Sequence, residues 1–130
     1  MADESPENRI AEQIIGAAIE VHKTLGGPGL LESVYEEALV CELELRGLKV
    51  RRQVSLPIVY KGRTLATPLR VDMIVEDLVI VDNKATINYS PIFESQVLTY
   101  LRLTNLKLGL VINFGSRLIK HGVHRVANDL

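Results

Sequence analysis

The stretch Arg70–Lys84, reading Arg-Val-Asp-Met-Ile-Val-Glu-Asp-Leu-Val-Ile-Val-Asp-Asn-Lys, constrains this chain more than any other. Two β-rich apolar runs, Val71–Val75 and Leu78–Val81, flank Glu76-Asp77, which predicts two adjacent strands joined by a tight reversal. A charged side chain in such surroundings is costly unless it is paired or holds a cation. Loop length decides where Asp72 and Asp82 fall. A two-residue loop sets Asp72 against Val81. A three-residue loop, Glu76 to Leu78, sets Val75 against Val79 and Asp72 against Asp82. Opposed residues share a face, so the two registers differ in every side chain. The odd loop sorts Val71, Met73, Val75, Val79, Val81 and Asn83 onto one face. Arg70, Asp72, Ile74, Ile80, Asp82 and Lys84 take the other. Every charge then lies on one side, so this register is the expected one. It places two carboxylates roughly 5 Å apart at Cβ, where like charges repel. A divalent cation resolves that repulsion, because hard cations take carboxylate oxygens.

With 130 residues, one domain over 1–130 is expected, large enough to bury a core. No apolar run approaches a membrane span, and Met-Ala-Asp-Glu-Ser has neither the basic nor the apolar part of an export signal. Cys41 stands alone, which excludes an internal disulfide and a cysteine-based zinc site. A cytoplasmic protein with no membrane partner follows as the expectation. The net charge of −1 hides an asymmetry. Residues 1–50 carry ten acids and four bases, whereas residues 51–130 carry six acids and eleven bases. A basic half is compatible with a phosphate-bearing substrate, and equally with an ordinary solvated surface.

Ser5-Pro6-Glu7 is a helix-start signal, and Ile10, Ile14, Ala17, Ala18, Val21 and Leu25 keep helical spacing up to Gly26-Gly27. His22 reads as a structural or solvent-facing residue favoured by the helix dipole. A second helix is expected from Leu31 to Arg46, with Leu31, Val34, Tyr35, Ala38, Cys41 and Leu45 as its apolar stripe. Glu32 in its first turn is explained by the macrodipole alone, and it can also aim a third carboxylate at Asp72 and Asp82. Val50–Tyr60 reads as a strand or bent pair containing Pro57, with a turn at Lys61-Gly62. Ser90-Pro91 starts a third helix ending near Asn105, on which Gln96 and Tyr100 share a face. Leu108–Phe114 fits a strand buried on both sides, and Leu118–Val126 a last strand. His121 and His124 would then point to opposite faces, as surface or edge residues unable to share one metal.

The element order and acidic hairpin resemble the GxxExxY protein family of the PD-(D/E)XK nuclease-like superfamily. The naming motif is present as Gly29-Leu30-Leu31-Glu32-Ser33-Val34-Tyr35, the superfamily motif as Asp72 and Asp82-Asn83-Lys84, and a QxxxY pattern as Gln96 to Tyr100. Leu108 to Gly115 also looks like this family, and the likeness covers about residues 8–126. It implies a restriction-endonuclease-like α/β core: a central mixed sheet flanked by helices, with an extra N-terminal helix. It further implies metal-dependent hydrolysis of DNA or RNA. Asp72, Asp82, Asn83 (through its carbonyl) and Glu32 would hold Mg2+ or Mn2+. Lys84 would orient a water or stabilise developing charge, and Gln96 and Tyr100 would support the site or touch the substrate. Family members usually carry Glu where this chain has Asp82, and the shorter side chain draws the cation nearer the strand. The alternative is an inactive nuclease-like scaffold that binds nucleic acid or a protein, and a homodimer is compatible with either.

Overall fold

A computed structural model of the protein describes residues 5–130; the Met-Ala-Asp-Glu segment, read above for export signals, lies outside them. Helix α1 spans Pro6–Thr24. Ser5 is extended, and its Oγ accepts the Asn8 N–H at 3.1 Å, so the expected cap forms. Ala11, Ile14, Ala17, Ala18 and Val21 are buried. At the other end, Gly27 N–H donates to the His22 carbonyl at 2.7 Å with Gly26 and Gly27 at positive φ, which closes the helix.

Helix α2 spans Glu32–Leu45 and buries Tyr35, Glu36, Leu39, Val40 and Leu43. This corrects the expected stripe. Leu31, Val34 and Leu45 are 72%, 40% and 78% exposed, and Cys41 is also exposed. Apolar residues lie on several sides of this helix, so spacing alone admits two faces. The packing against α1 and the sheet selects the one that carries Tyr35. That ring stacks on Phe114 at 4.7 Å between centroids, which adds about 1 kcal/mol to the burial of both.

Strands β1 (Val50–Leu56), β4 (Leu69–Val75), β5 (Val79–Lys84), β6 (Leu108–Asn113) and β7 (Val123–Ala127) form one sheet in the order β1-β4-β5-β6-β7. Only β5 and β6 are parallel, joined by helix α3 (Ile92–Thr104). The short strands β2 (Val59–Tyr60) and β3 (Arg63–Thr64) make a separate hairpin around Lys61-Gly62. Helices α1 and α2 cover one sheet face over Met73, Val75, Val79, Val81, Leu108, Leu110 and Ile112. Helix α3 covers the other over Ile74, Ile80 and Val111. All six residues of β6 are buried, as a strand covered on both sides requires. The result is a mixed sheet between helical layers, the restriction-endonuclease-like arrangement.

The three-residue loop is present. Val75 pairs with Val79, Ile74 with Ile80 and Met73 with Val81. Leu78 N–H donates to the Val75 carbonyl at 3.0 Å, and both Glu76 and Asp77 take a φ of 55°. Val71, however, packs in the α3 cluster and not with Met73 and Val75. Pairing with β5 stops at Met73, and on the other side Gln53 of β1 turns left-handed (φ 50°) between the Arg52–Met73 and Val54–Val71 pairs. The first half of β4 therefore leaves the plane that simple alternation assumes.

The predicted last strand is shorter. Ile119–His121 is a 3-10 turn, and β7 begins only at Val123. Gly115 makes the close approach at this end of the sheet. A Cβ there would lie 2.4 Å from the Thr86 carbonyl oxygen and 2.6 Å from the Thr86 nitrogen. Asn113 holds the same contact from below: its Oδ1 accepts the N–H of both Thr86 and Gly115 at 3.0 Å, and its Nδ2 donates to Thr86 O at 3.0 Å. Because backbone cannot swing aside, Gly115→Ala should destabilise the fold by about 1–3 kcal/mol, read as a lower urea midpoint at unchanged slope. An unchanged midpoint would show that the segment after Lys84 yields freely.

Candidate active site

One step past the last β4–β5 pair, Asp72 and Asp82 meet. Asp72 Oδ2 accepts the Asn83 N–H at 2.9 Å, and the Asp82 charge reaches the Asp72 carboxyl. Asp82 is only 6% exposed, and its Oδ2 lacks a hydrogen-bond partner of good geometry although Lys84 Nζ lies 3.4 Å away. Burial raises the Asp72 pKa to about 7; the Asn83 N–H opposes the shift and the Asp82 charge adds to it. Burial also raises Asp82, against the pull of Lys84. A carboxyl pair that holds a proton near neutrality is short of positive charge, and Lys84 supplies only part of it.

Glu32 begins α2 beside this pair. Burial raises its pKa, with Asp72 and Glu36 adding and Lys84 opposing, which places it in the field of the cluster. The turn before it is fixed by Tyr35. The Tyr35 hydroxyl donates to Gly27 O at 2.7 Å and accepts the Leu30 N–H at 3.1 Å. Gly29 between them has φ +116°, a conformation only glycine adopts easily. The spacing Gly29, Glu32, Tyr35 thus has a mechanical basis: the tyrosine ties down the loop that delivers the glutamate.

The other expected residues divide. Asn83 is fully buried, and its Nδ2 lies 3.2 Å from Met73 Sδ, so its side chain faces α1 and α2 and only its main chain is available to the carboxylates. Tyr100 is half-buried, and burial followed by the charges of Asp82 and Asp72 raises its pKa. Gln96 is exposed on α3, and no hydrogen bond joins it to the carboxylates. Among the described residues, no three His, Cys, Asp or Glu groups are already gathered as a metal cage.

Two neighbouring groups escaped the sequence reading. Glu36 is 5% exposed and accepts from Arg52 Nη2 at 3.2 Å and Gln53 Nε2 at 2.9 Å, while its charge reaches Asp72 and Glu32. Its position four residues after Glu32 was the available signal. On the other side, Lys84 Nζ sits 4.5 Å over the Phe93 ring, and Tyr89 packs edge-on to Phe93 at 5.3 Å. Tyr89 donates to Glu94 Oε2 at 3.0 Å and stacks on His124 at 3.9 Å. His124, expected at the surface or an edge, lies on the edge strand β7, half-buried in an aromatic group beside Lys84, while His121 is exposed as expected. No local pattern links residues 89, 93 and 124.

A mixed sheet with this carboxylate pair and lysine at its centre defines a nuclease-like fold. A model of the PD-(D/E)XK nuclease superfamily matches residues 8–126, and the chain belongs to that superfamily. No curated protein and no solved structure matches it. No described helix is long and apolar enough to cross a membrane.

Proposed function

We propose that the protein is a metal-dependent phosphodiesterase acting on DNA or RNA, and that within its superfamily it stands with the GxxExxY proteins. The observation that carries this reading is the pair Asp72 and Asp82 with Lys84 Nζ 3.4 Å from the buried Asp82 Oδ2, which makes no hydrogen bond among the described residues. Nucleases of this superfamily generally use divalent ions. The donor set fits one: hard carboxylate oxygens, a buried carboxyl pair and an Asp82 Oδ2 that makes no hydrogen bond among the described residues all favour Mg2+ or Mn2+. Asp72, Asp82 and the Asn83 carbonyl would hold the ion, with Glu32 joining directly or through water. When bound, such an ion polarises a phosphate oxygen and acidifies a water.

The remaining work falls to side chains. Lys84 is steadied between Asp82 and the Phe93 ring, where its ammonium orients the attacking water or offsets charge developing on the phosphate. Tyr100 and Gln96 face the substrate side of α3 and contact its backbone. Arg52 and Gln53 hold Glu36, which keeps the Glu32 turn of α2 close to the carboxylates. Cleavage of single- and double-stranded DNA and RNA should require Mg2+ or Mn2+. Lys84→Ala should lower kcat by about 10²–10³-fold. Undiminished activity in Lys84→Ala would remove the site from the reaction. Manganese binding with no cleavage of any substrate would favour the inactive binding scaffold.

A further inference from the structure

A second built feature lies at the same end of the sheet. The last turn of α1 (Ile19, His22, Lys23), Gly26-Gly27 and residues 117–120 enclose a cavity of about 530 Å3. Its apolar lining includes Ile119 and the half-exposed Ile19 and Leu118. Three exposed cations, Lys23, Arg117 and Lys120, stand around it, and none of them makes a salt bridge among the described residues. Among the described residues, no acidic one lines it, and the buried His22 adds an Nε2 with no hydrogen-bond partner. The helix dipole explains His22 and Lys23, which lie in the last turn of α1. It does not explain Arg117 and Lys120, which arrive from a different segment. Nor does the negative helix end repel an anion strongly here. The carbonyls of Val21, His22 and Lys23 already accept the N–H groups of Leu25, Gly27 and Gly26.

A second cleft lies between residues that flank the cavity and residues that flank the candidate active site in the chain. This cleft, of about 460 Å3, runs between Pro28-Gly29-Leu30 on one wall and Ala85-Thr86-Ile87 with Gly115 on the other. Pro28 on one wall follows Gly27 of the cavity, and Gly115 on the other stands two residues before Arg117. At its other end, Ala85 follows Lys84 and Leu30 lies two residues before Glu32.

We propose that the cationic cavity is a nucleotide subsite for the substrate strand, one whose chain runs from the carboxylates through this cleft. A phosphate would sit among Lys23, Arg117 and Lys120, with the base or sugar against Ile19 and Leu118. The choice of a strand over a free nucleotide rests on the nuclease reading; the cation cluster does not.

Binding is therefore measured without cleavage, on full-length protein with EDTA, by anisotropy of a labelled single-stranded oligothymidylate and by titration with AMP. Arg117→Gln/Lys120→Gln changes only exposed side chains, and Lys61→Gln/Arg63→Gln on the β2–β3 hairpin removes equal charge elsewhere. The subsite predicts about a tenfold loss of oligonucleotide affinity in the first variant, with a salt dependence shallower by about one to two contacts. The hairpin variant should lose about twofold or less. Equal losses in both variants would overturn the subsite in favour of general electrostatics. Loss of AMP binding with oligonucleotide binding unchanged would overturn the strand path and leave a free-nucleotide site. If wild type cleaves nothing with Mn2+ yet Arg117→Gln/Lys120→Gln loses oligonucleotide binding, the nuclease reading fails and the subsite stands. Cleavage with unaltered binding in that variant does the reverse.

Discussion

Asp82→Asn should abolish cleavage, by about 10³-fold or more, while leaving the metal-free protein at least as stable as wild type at pH 8. On the proposed reading, the activity loss follows from removing one of the anionic ligands of an ion that would contribute several kcal/mol, each 1.4 kcal/mol being tenfold in rate. The stability sign comes from the site's own electrostatics. Burial raises the Asp82 pKa against the pull of Lys84, and the Glu32 charge adds to the rise, so the ionised form is disfavoured in the fold. A group with a raised folded pKa supports the fold at low pH and loses that support as pH rises through the folded value. At pH 8 the wild-type pair is therefore a liability that asparagine removes. Lys84 loses its partner but keeps 22% side-chain exposure and the Phe93 face. Steady-state kinetics with thermal denaturation of the same samples tests both halves. Activity and melting temperature falling together would make Asp82 a structural anchor. Asp82→Glu, which preserves the charge, should retain far more activity than asparagine.

Metal affinity should depend steeply on pH through Asp72. Its pKa stands near 7 in the metal-free fold against an ordinary 3.8, so ion binding must displace a proton below pH 7. Calorimetric titration with Mn2+ should show affinity rising about tenfold per pH unit up to about 7 and levelling above it. Metal-free stability should run the other way. The support that protonated Asp72 gives is complete below about pH 4 and is lost as pH rises to about 7, and bound Mn2+ restores it. Asp72→Asn should weaken binding and flatten both dependences. A flat affinity profile in wild type would overturn the displacement of a proton from Asp72 by the ion.

Much of this was legible in the chain itself, for one reason: strand pairing has parity. Charges at Asp72, Asp82 and Lys84 among β-branched residues sort onto one side only with an odd loop, and the Val75–Val79 pairing has that loop. The Ser5 cap and the buried strand Leu108–Asn113 were readable for similarly local reasons. Where periodicity was ambiguous, the sequence did not decide. Helix α2 has apolar residues on several sides, and contact with α1 and Phe114 chose the Tyr35–Leu39–Leu43 face. Val71 changed layers because β4 parts from β5 at Met73. The environment of the site was beyond sequence reading altogether. Glu32 and Glu36 come from one helix, Arg52 and Gln53 from an edge strand, Tyr89 from the loop before α3, Phe93 from α3 and His124 from β7. Pairing and capping are set by neighbours a few residues away, so the sequence determined the carboxylate pair and its lysine. Burial, and with it the proton held near neutrality, depends on packing between distant segments, and only the tertiary structure decided that.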